Sequence, residues 1–127
     1  MKIGITAKGD NLDSEVDPRF GRCKYFIIVD PDTLEFEAIE NFSIEASGGA
    51  GVQSGQLVAT KEVEVILTGN IGPNAFQILQ SAGIKTITGA SGKVREAIEK
   101  YKKGGFKPVE GSNVNSKFGV LEEKNRR

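Results

Sequence analysis

The sequence predicts an α/β fold in which one mixed sheet of five strands is covered by three helices, in the order β-β-β-α-β-α-β-α. Toward the N-terminus, apolar residues alternate with polar ones or run unbroken over short stretches, as strands do. Past residue 50 the apolar spacing changes to the three-and-four repeat of helices, interleaved with two short β-branched runs. A strand meander followed by βαβαβ units implies a single sheet with helices on its faces.

Each element has its own signal. Ile3, Ile5 and Ala7 alternate with polar positions and predict the first strand. Residues 8–24, containing "GDNLDSEVDPRFGR", are expected to form a polar loop. Tyr25 to Val29 is apolar throughout, which suits a strand covered on both faces. "DPDT" at 30–33 is a turn, with proline setting the bend and aspartates satisfying it. Leu34, Phe36 and Ala38 alternate with Glu35, Glu37 and Ile39, which predicts an edge strand returning antiparallel. After "NFSIEASGGAG", Val52, Gly55, Val58 and Ala59 share one face of a helix ending near Glu62. "VEVILTG" at 63–69 predicts a buried strand. A second helix follows, with Pro73 in its first turn, Gly83 as its stop, and Ala75, Ile78, Leu79 and Ala82 as its inner stripe. Ile84 to Thr88 is the fifth strand. The third helix is expected to be capped by Ser91, to bury Val94, Ala97, Ile98 and Tyr101, and to end at Gly104-Gly105. The folded domain is expected to span residues 1–105, and the aperiodic, polar residues 106–127 to form a flexible tail.

Composition narrows the chemistry. A chain of 127 residues can bury a sizeable core, and its 17 basic and 17 acidic side chains cancel, so no global field recruits nucleic acid or an anionic membrane. No signal-peptide segment or membrane span is visible, and the single cysteine cannot form an internal disulfide. A reducing, cytoplasmic setting is therefore expected. There is no histidine, which excludes Ser-His-Asp and Cys-His nucleophile pairs and imidazole-based zinc sites. One cysteine also excludes an iron–sulfur cluster held by four thiolates of one chain.

Strand order turns these elements into a location. With the second strand antiparallel to the first, the 8–24 loop, the "SGGAG" loop and "TGNIGPN" all fall at one sheet edge. Two helix N-termini lie there, and such ends offer unpaired N–H groups to anions. Arg19, Arg22 and Cys23 face them, which describes an anion pocket with one soft ligand. Plainer readings exist for each piece. "GGAG" lacks the G-x-G-x-x-G spacing and a Walker lysine, and serves equally as a flexible joint. Gly72-Pro73-Asn74 is an ordinary helix start. Phe20 closes its loop as a core anchor. Cys23 is by default a small buried hydrophobe, although flanking Arg22 and Lys24 would favour a metal-binding thiolate. Asp10, Asp13, Glu15 and Asp17 match no ligand spacing and read as solvated loop charge.

Three stretches, "DPRFGRCKYFIIVD", "SGGAGVQSGQLVA" and "VILTGNIGPNAFQILQSAGIK", resemble the dinitrogenase iron–molybdenum cofactor biosynthesis family. That family includes NifX, the C-terminal part of NifB, the core of NafY and the small orange proteins. The likeness covers roughly residues 1–105. It implies a ribonuclease-H-like fold with sheet order 3-2-1-4-5, and non-catalytic binding or carriage of a metal–sulfur cluster or its precursor. In orange proteins the cluster contains molybdenum and copper. A cluster-donor or cluster-acceptor protein is the partner this implies. The implied binding set is Arg19, Phe20, Gly21, Arg22, Gly48, Gly49, Gly51, Asn70, Gly72 and Asn74, with Cys23 as the one metal ligand. Several nitrogenase-linked members carry a histidine before the Phe-Gly pair, where this chain has Arg19. A pre-assembled cluster brings its own sulfides and negative charge, so arginines and backbone N–H groups can hold it with one thiolate or none.

Two other functions are open at this stage. One is a metal-free regulatory or scaffold domain that binds a protein partner or small anion. The other is a nuclease, by fold analogy. That chemistry needs several strand-borne carboxylates for two metal ions, and "KIGITA", "YFIIV" and "VEVILT" supply almost none.

Overall fold

A computed structural model describes residues 1–42 and 49–106. The strands are β1 (Ile3–Ala7), β2 (Tyr25–Val29), β3 (Phe36–Glu40), β4 (Val65–Leu67) and β5 (Lys85–Ile87). The helices are α1 (Ala50–Ala59), α2 (Pro73–Ser81) and α3 (Val94–Lys102), and a 3-10 turn covers Phe20–Arg22. The sheet order is β3-β2-β1-β4-β5, with β1, β2 and β3 antiparallel in succession and β1, β4 and β5 parallel. The expected fold class and strand order are both present.

Every residue of β1 is buried because it is the central strand, with helices on both faces. Side chains alternate between two cores. Ile3, Ile5, Ile27, Val65 and Leu67 pack with Val94, Ala97 and Ile98 of α3. Phe26, Ile28 and Ile66 pack with Val58 of α1 and with Ala75 and Leu79 of α2.

Several boundaries differ from the sequence reading. Leu34 is not in β3. It adopts φ 66 in the turn, where Asp30 Oδ1 accepts the Asp32 and Thr33 N–H groups at 2.8 and 3.2 Å. Helix α1 stops at Ala59, and its buried residues are Ala50, Ser54, Gly55 and Val58 rather than Val52 and Ala59. That rotation brings Gly55 against Ile78, whose Cγ2 lies 2.9 Å from where a Cβ would stand. Ala82 is exposed beyond the end of α2. Ser91 does not cap α3; the Glu96 carboxylate does so by accepting the Lys93 N–H at 3.0 Å. The 8–24 loop is not simply solvated. Leu12 and Val16 are buried, and Val16 bridges Ala7 beside β1. The tail expected from residue 106 lies outside the described residues except for Phe106, which packs against the α3 core.

Candidate functional site

Three helices start at the sheet edge where β1, β4 and β5 end, and their first N–H groups have no partner within the helix. The start of α3 is closed. Ser14 and Leu12 carbonyls accept the Val94 and Arg95 N–H groups, each at 2.8 Å, and Glu96 covers Lys93. Among the described residues, the starts of α1 and α2 carry no side-chain cap. Gly49 precedes α1 in the left-handed region, φ 72, and Gly72 precedes α2.

The Phe20–Arg22 turn stands in front of these two open starts. Its position follows from a chain of contacts running back to the sheet. Thr6 of β1 donates through Oγ1 to the Asp17 carbonyl at 2.7 Å, and the Asp17 N–H donates to the Thr6 carbonyl at 2.9 Å. Asp17 is itself buried, and its Oδ1 accepts the Arg19 N–H at 3.0 Å and Nε at 3.4 Å. Asn70 N–H donates to the Pro18 carbonyl at 2.7 Å, and Phe20 N–H donates to the Asn70 carbonyl at 3.2 Å. Beyond the turn, buried Asn41 donates through Nδ2 to the Cys23 carbonyl at 2.9 Å and accepts Ser54 Oγ at 3.4 Å. One amide thus ties the turn to α1. Gly21 lies so close to α1 that a Cβ on it would sit 2.9 Å from Gly51 Cα and N.

Between the turn and the two helix starts is a cavity of about 380 Å³. Its walls are Arg19 to Arg22, Gly49 to Val52 and Asn70 to Ala75. Of the predicted binding residues, Arg19, Phe20, Gly21, Arg22, Gly49, Gly51, Asn70, Gly72 and Asn74 therefore meet at one place. Gly48 lies outside the described residues. Phe20 does double duty: its ring is 2% exposed, tilted against Phe26 at 5.5 Å, and still lines the cavity. Both arginine side chains are exposed toward solvent.

Cys23 takes the default of its two sequence readings, the small buried hydrophobe, and not the pocket-facing thiolate. It is fully buried beneath the cavity, not on its wall, with Sγ donating to the Phe20 carbonyl at 3.3 Å and accepting from Asn41 Nδ2 at 3.8 Å. The flanking Arg22 and Lys24 point outward. Burial, and then the Asp17 charge, push the thiol well above its ordinary pKa, opposite to the lowering expected from those cations. Among the described residues, no three His, Cys, Asp or Glu side chains are placed to hold a metal ion. The acidic loop residues are otherwise engaged: Asp13 with Arg95 at 3.2 Å, Glu15 with Lys8 at 3.5 Å, and Asp17 with Arg19.

The sequence reading missed Asp17, Asn41 and Ser54 as the residues that hold the site. Asp17 carried a signal, since an aspartate two residues before an arginine can accept its backbone N–H in an Asx turn. Asn41 and Ser54 carried none, because their partners are distant in sequence.

The family model for dinitrogenase iron-molybdenum cofactor matches residues 1–104. The apo form of the orange protein from Desulfovibrio gigas is 42% identical, covers 89% of this chain and 96% of its own, and superposes with a TM-score of 0.86. A Thermotoga protein solved by NMR under a NifB designation is 36% identical over 84% of this chain and 91% of its own, with a TM-score of 0.74. An uncharacterised protein of Methanocaldococcus jannaschii is 31% identical over 113 residues, which are 87% of this chain and 92% of that protein. With the sheet order, the motif-bearing loops and the matched span in agreement, the chain belongs to the dinitrogenase iron-molybdenum cofactor family.

Proposed function

We propose that this protein binds and carries an anionic metal–sulfur cluster, or a precursor of one, in the cavity between the starts of α1 and α2, without transforming it. The observation that supports this most is a pair of helix starts, uncapped by any described side chain, facing two arginines across one cavity. Helix N-termini and guanidinium groups both favour anions, and a site of about 380 Å³ falls in the range of small-ligand pockets. The residues fit a guest that supplies its own metals and sulfides. Backbone N–H groups of Ala50, Gly51, Val52, Asn74 and Ala75 and the side chains of Arg19 and Arg22 are the donors. Phe20, Ile71 and Ala75 give an apolar wall suited to soft sulfide. Cys23 serves in packing and not as a ligand, because a buried, protonated thiol is a poor metal donor. Such cargo is passed between proteins, so a cluster-donor or cluster-acceptor protein is the partner, and the setting is the reducing cytoplasm.

The test is anaerobic production in a host that makes metal–sulfur clusters, followed by metal analysis and a visible spectrum. Stoichiometric metal and inorganic sulfide with a charge-transfer band are expected. A colourless protein that also takes up no thiomolybdate or iron–sulfur precursor in vitro would refute the reading.

A further inference from the structure

One charged group behind the cavity wall, paired to the lining residue Arg19, has the wrong sign for an anion site. Asp17 is 3% exposed, and its carboxylate meets both the backbone N–H and the Nε of Arg19 through Oδ1. The side chain of Arg19 is 63% exposed and lines the cavity. A fully buried carboxylate would ordinarily be excluded from such a place; Thr6 fixes only the Asp17 backbone, and among the described residues the carboxylate is held by Arg19. Arg19 therefore faces the cavity already paired, and part of its charge is spent on a group of its own chain.

We propose that Asp17 is an internal competitor for the guest: it shares Arg19 with the bound anion and so keeps the site's affinity low enough for release. This rests on the anion-carrier reading of the cavity. Two features give Asp17 this role beyond its contribution to folding. Its backbone function does not need the charge, because an asparagine at 17 retains an Oδ1 to accept the Arg19 N–H. The interaction with Nε is long, at 3.4 Å, and its partner is largely solvent-exposed, so the guanidinium can turn toward a guest without disturbing the turn beneath it. Among the described residues, groups that also interact with Asp17 are the Thr6 hydroxyl, which donates to its carbonyl, and the Cys23 thiol, which feels its charge. Neither supplies a second cation to replace Arg19.

The experiment is anaerobic titration of tetrathiomolybdate, a tetrahedral metal–sulfur dianion, into wild type, Asp17→Asn, Arg19→Ala and the double variant. Freeing the Arg19 guanidinium from its carboxylate should tighten binding of the dianion about tenfold and slow release, with the gain shrinking at higher salt. In the Arg19→Ala background most of the gain should disappear, since there is no shared guanidinium to set free. A purely structural role predicts instead that Asp17→Asn weakens binding in both backgrounds. The Arg19 Nε–H resonance of the wild type gives a second reading that needs no variant: it should shift on adding tetrathiomolybdate. Binding by wild type with no gain in Asp17→Asn, or no shift at Nε–H, overturns this inference alone. No binding by wild type overturns the carrier reading, and this inference with it.

Discussion

Cys23 lies in the core with Sγ donating to the Phe20 carbonyl, so its protonated form is the one the fold stabilises. The folded thiol titrates above the unfolded one. The stabilisation is therefore complete below the ordinary thiol range, about pH 8.5, and is lost as pH rises above it. Urea unfolding at pH 7 and pH 10 should show wild type losing more stability than Cys23→Ser over that interval. Thr86 poses the opposite case: its Oγ1 is buried in β5 with no hydrogen-bond partner among the described residues. Thr86→Val keeps the shape and removes the unmet hydroxyl, so it should raise stability by roughly 1 kcal/mol, read as a higher urea midpoint with an unchanged slope. Residue identity alone pointed to Arg19 and Arg22 because cations beside glycine-rich helix starts have a chemical meaning on their own. It gave burial as the default for Cys23 but left a pocket-facing thiolate open, since the direction of a side chain at the end of a short turn depends on what packs beneath it.

At the scale of elements, the site exists because the Phe20–Arg22 turn can touch α1 without a side chain between them. Gly21→Ala would place a Cβ 2.9 Å from Gly51 backbone atoms, which cannot yield as a flexible side chain could. It should cost about 1–3 kcal/mol and widen the cavity, checked by chemical unfolding and by changed amide shifts at Gly51 and Val52. Strands and helices were legible in the sequence wherever a long apolar run or a clear repeat carried them, as in Tyr25–Val29 and in Val94, Ala97, Ile98 and Tyr101. The helix phase of α1 was not. Its contact face is built on Ser54 and Gly55, whose burial comes from Asn41 and Ile78 and leaves no hydrophobic mark. The start of α3 was missed for a similar reason: the cap comes from Glu96 inside the helix, not from Ser91 ahead of it. Glu96→Ala should accordingly destabilise the fold by about 1 kcal/mol while leaving Ser91→Ala near neutral, as thermal unfolding can check.

For the molecule as a whole, the topology brings three helix starts to one sheet edge and then treats them differently. The 8–17 loop satisfies α3 with its own carbonyls, whereas among the described residues no side chain caps α1 or α2 in front of Arg19 and Arg22. The location of this edge was legible because strand direction follows from the order of elements. Its depth was not, because the buried Asp17 and Asn41 contacts that seat the turn join residues far apart in the chain. The central claim is that charge and backbone donors, and not a thiolate–metal bond, hold the guest. It is tested most directly by anaerobic titration of tetrathiomolybdate into wild type, Arg19→Ala, Arg22→Ala and Cys23→Ser. A charge-assisted hydrogen bond contributes roughly 1.5–3 kcal/mol, so each arginine variant should bind about tenfold more weakly or worse, with Cys23→Ser close to wild type. Loss of binding in Cys23→Ser with both arginine variants intact would contradict the account.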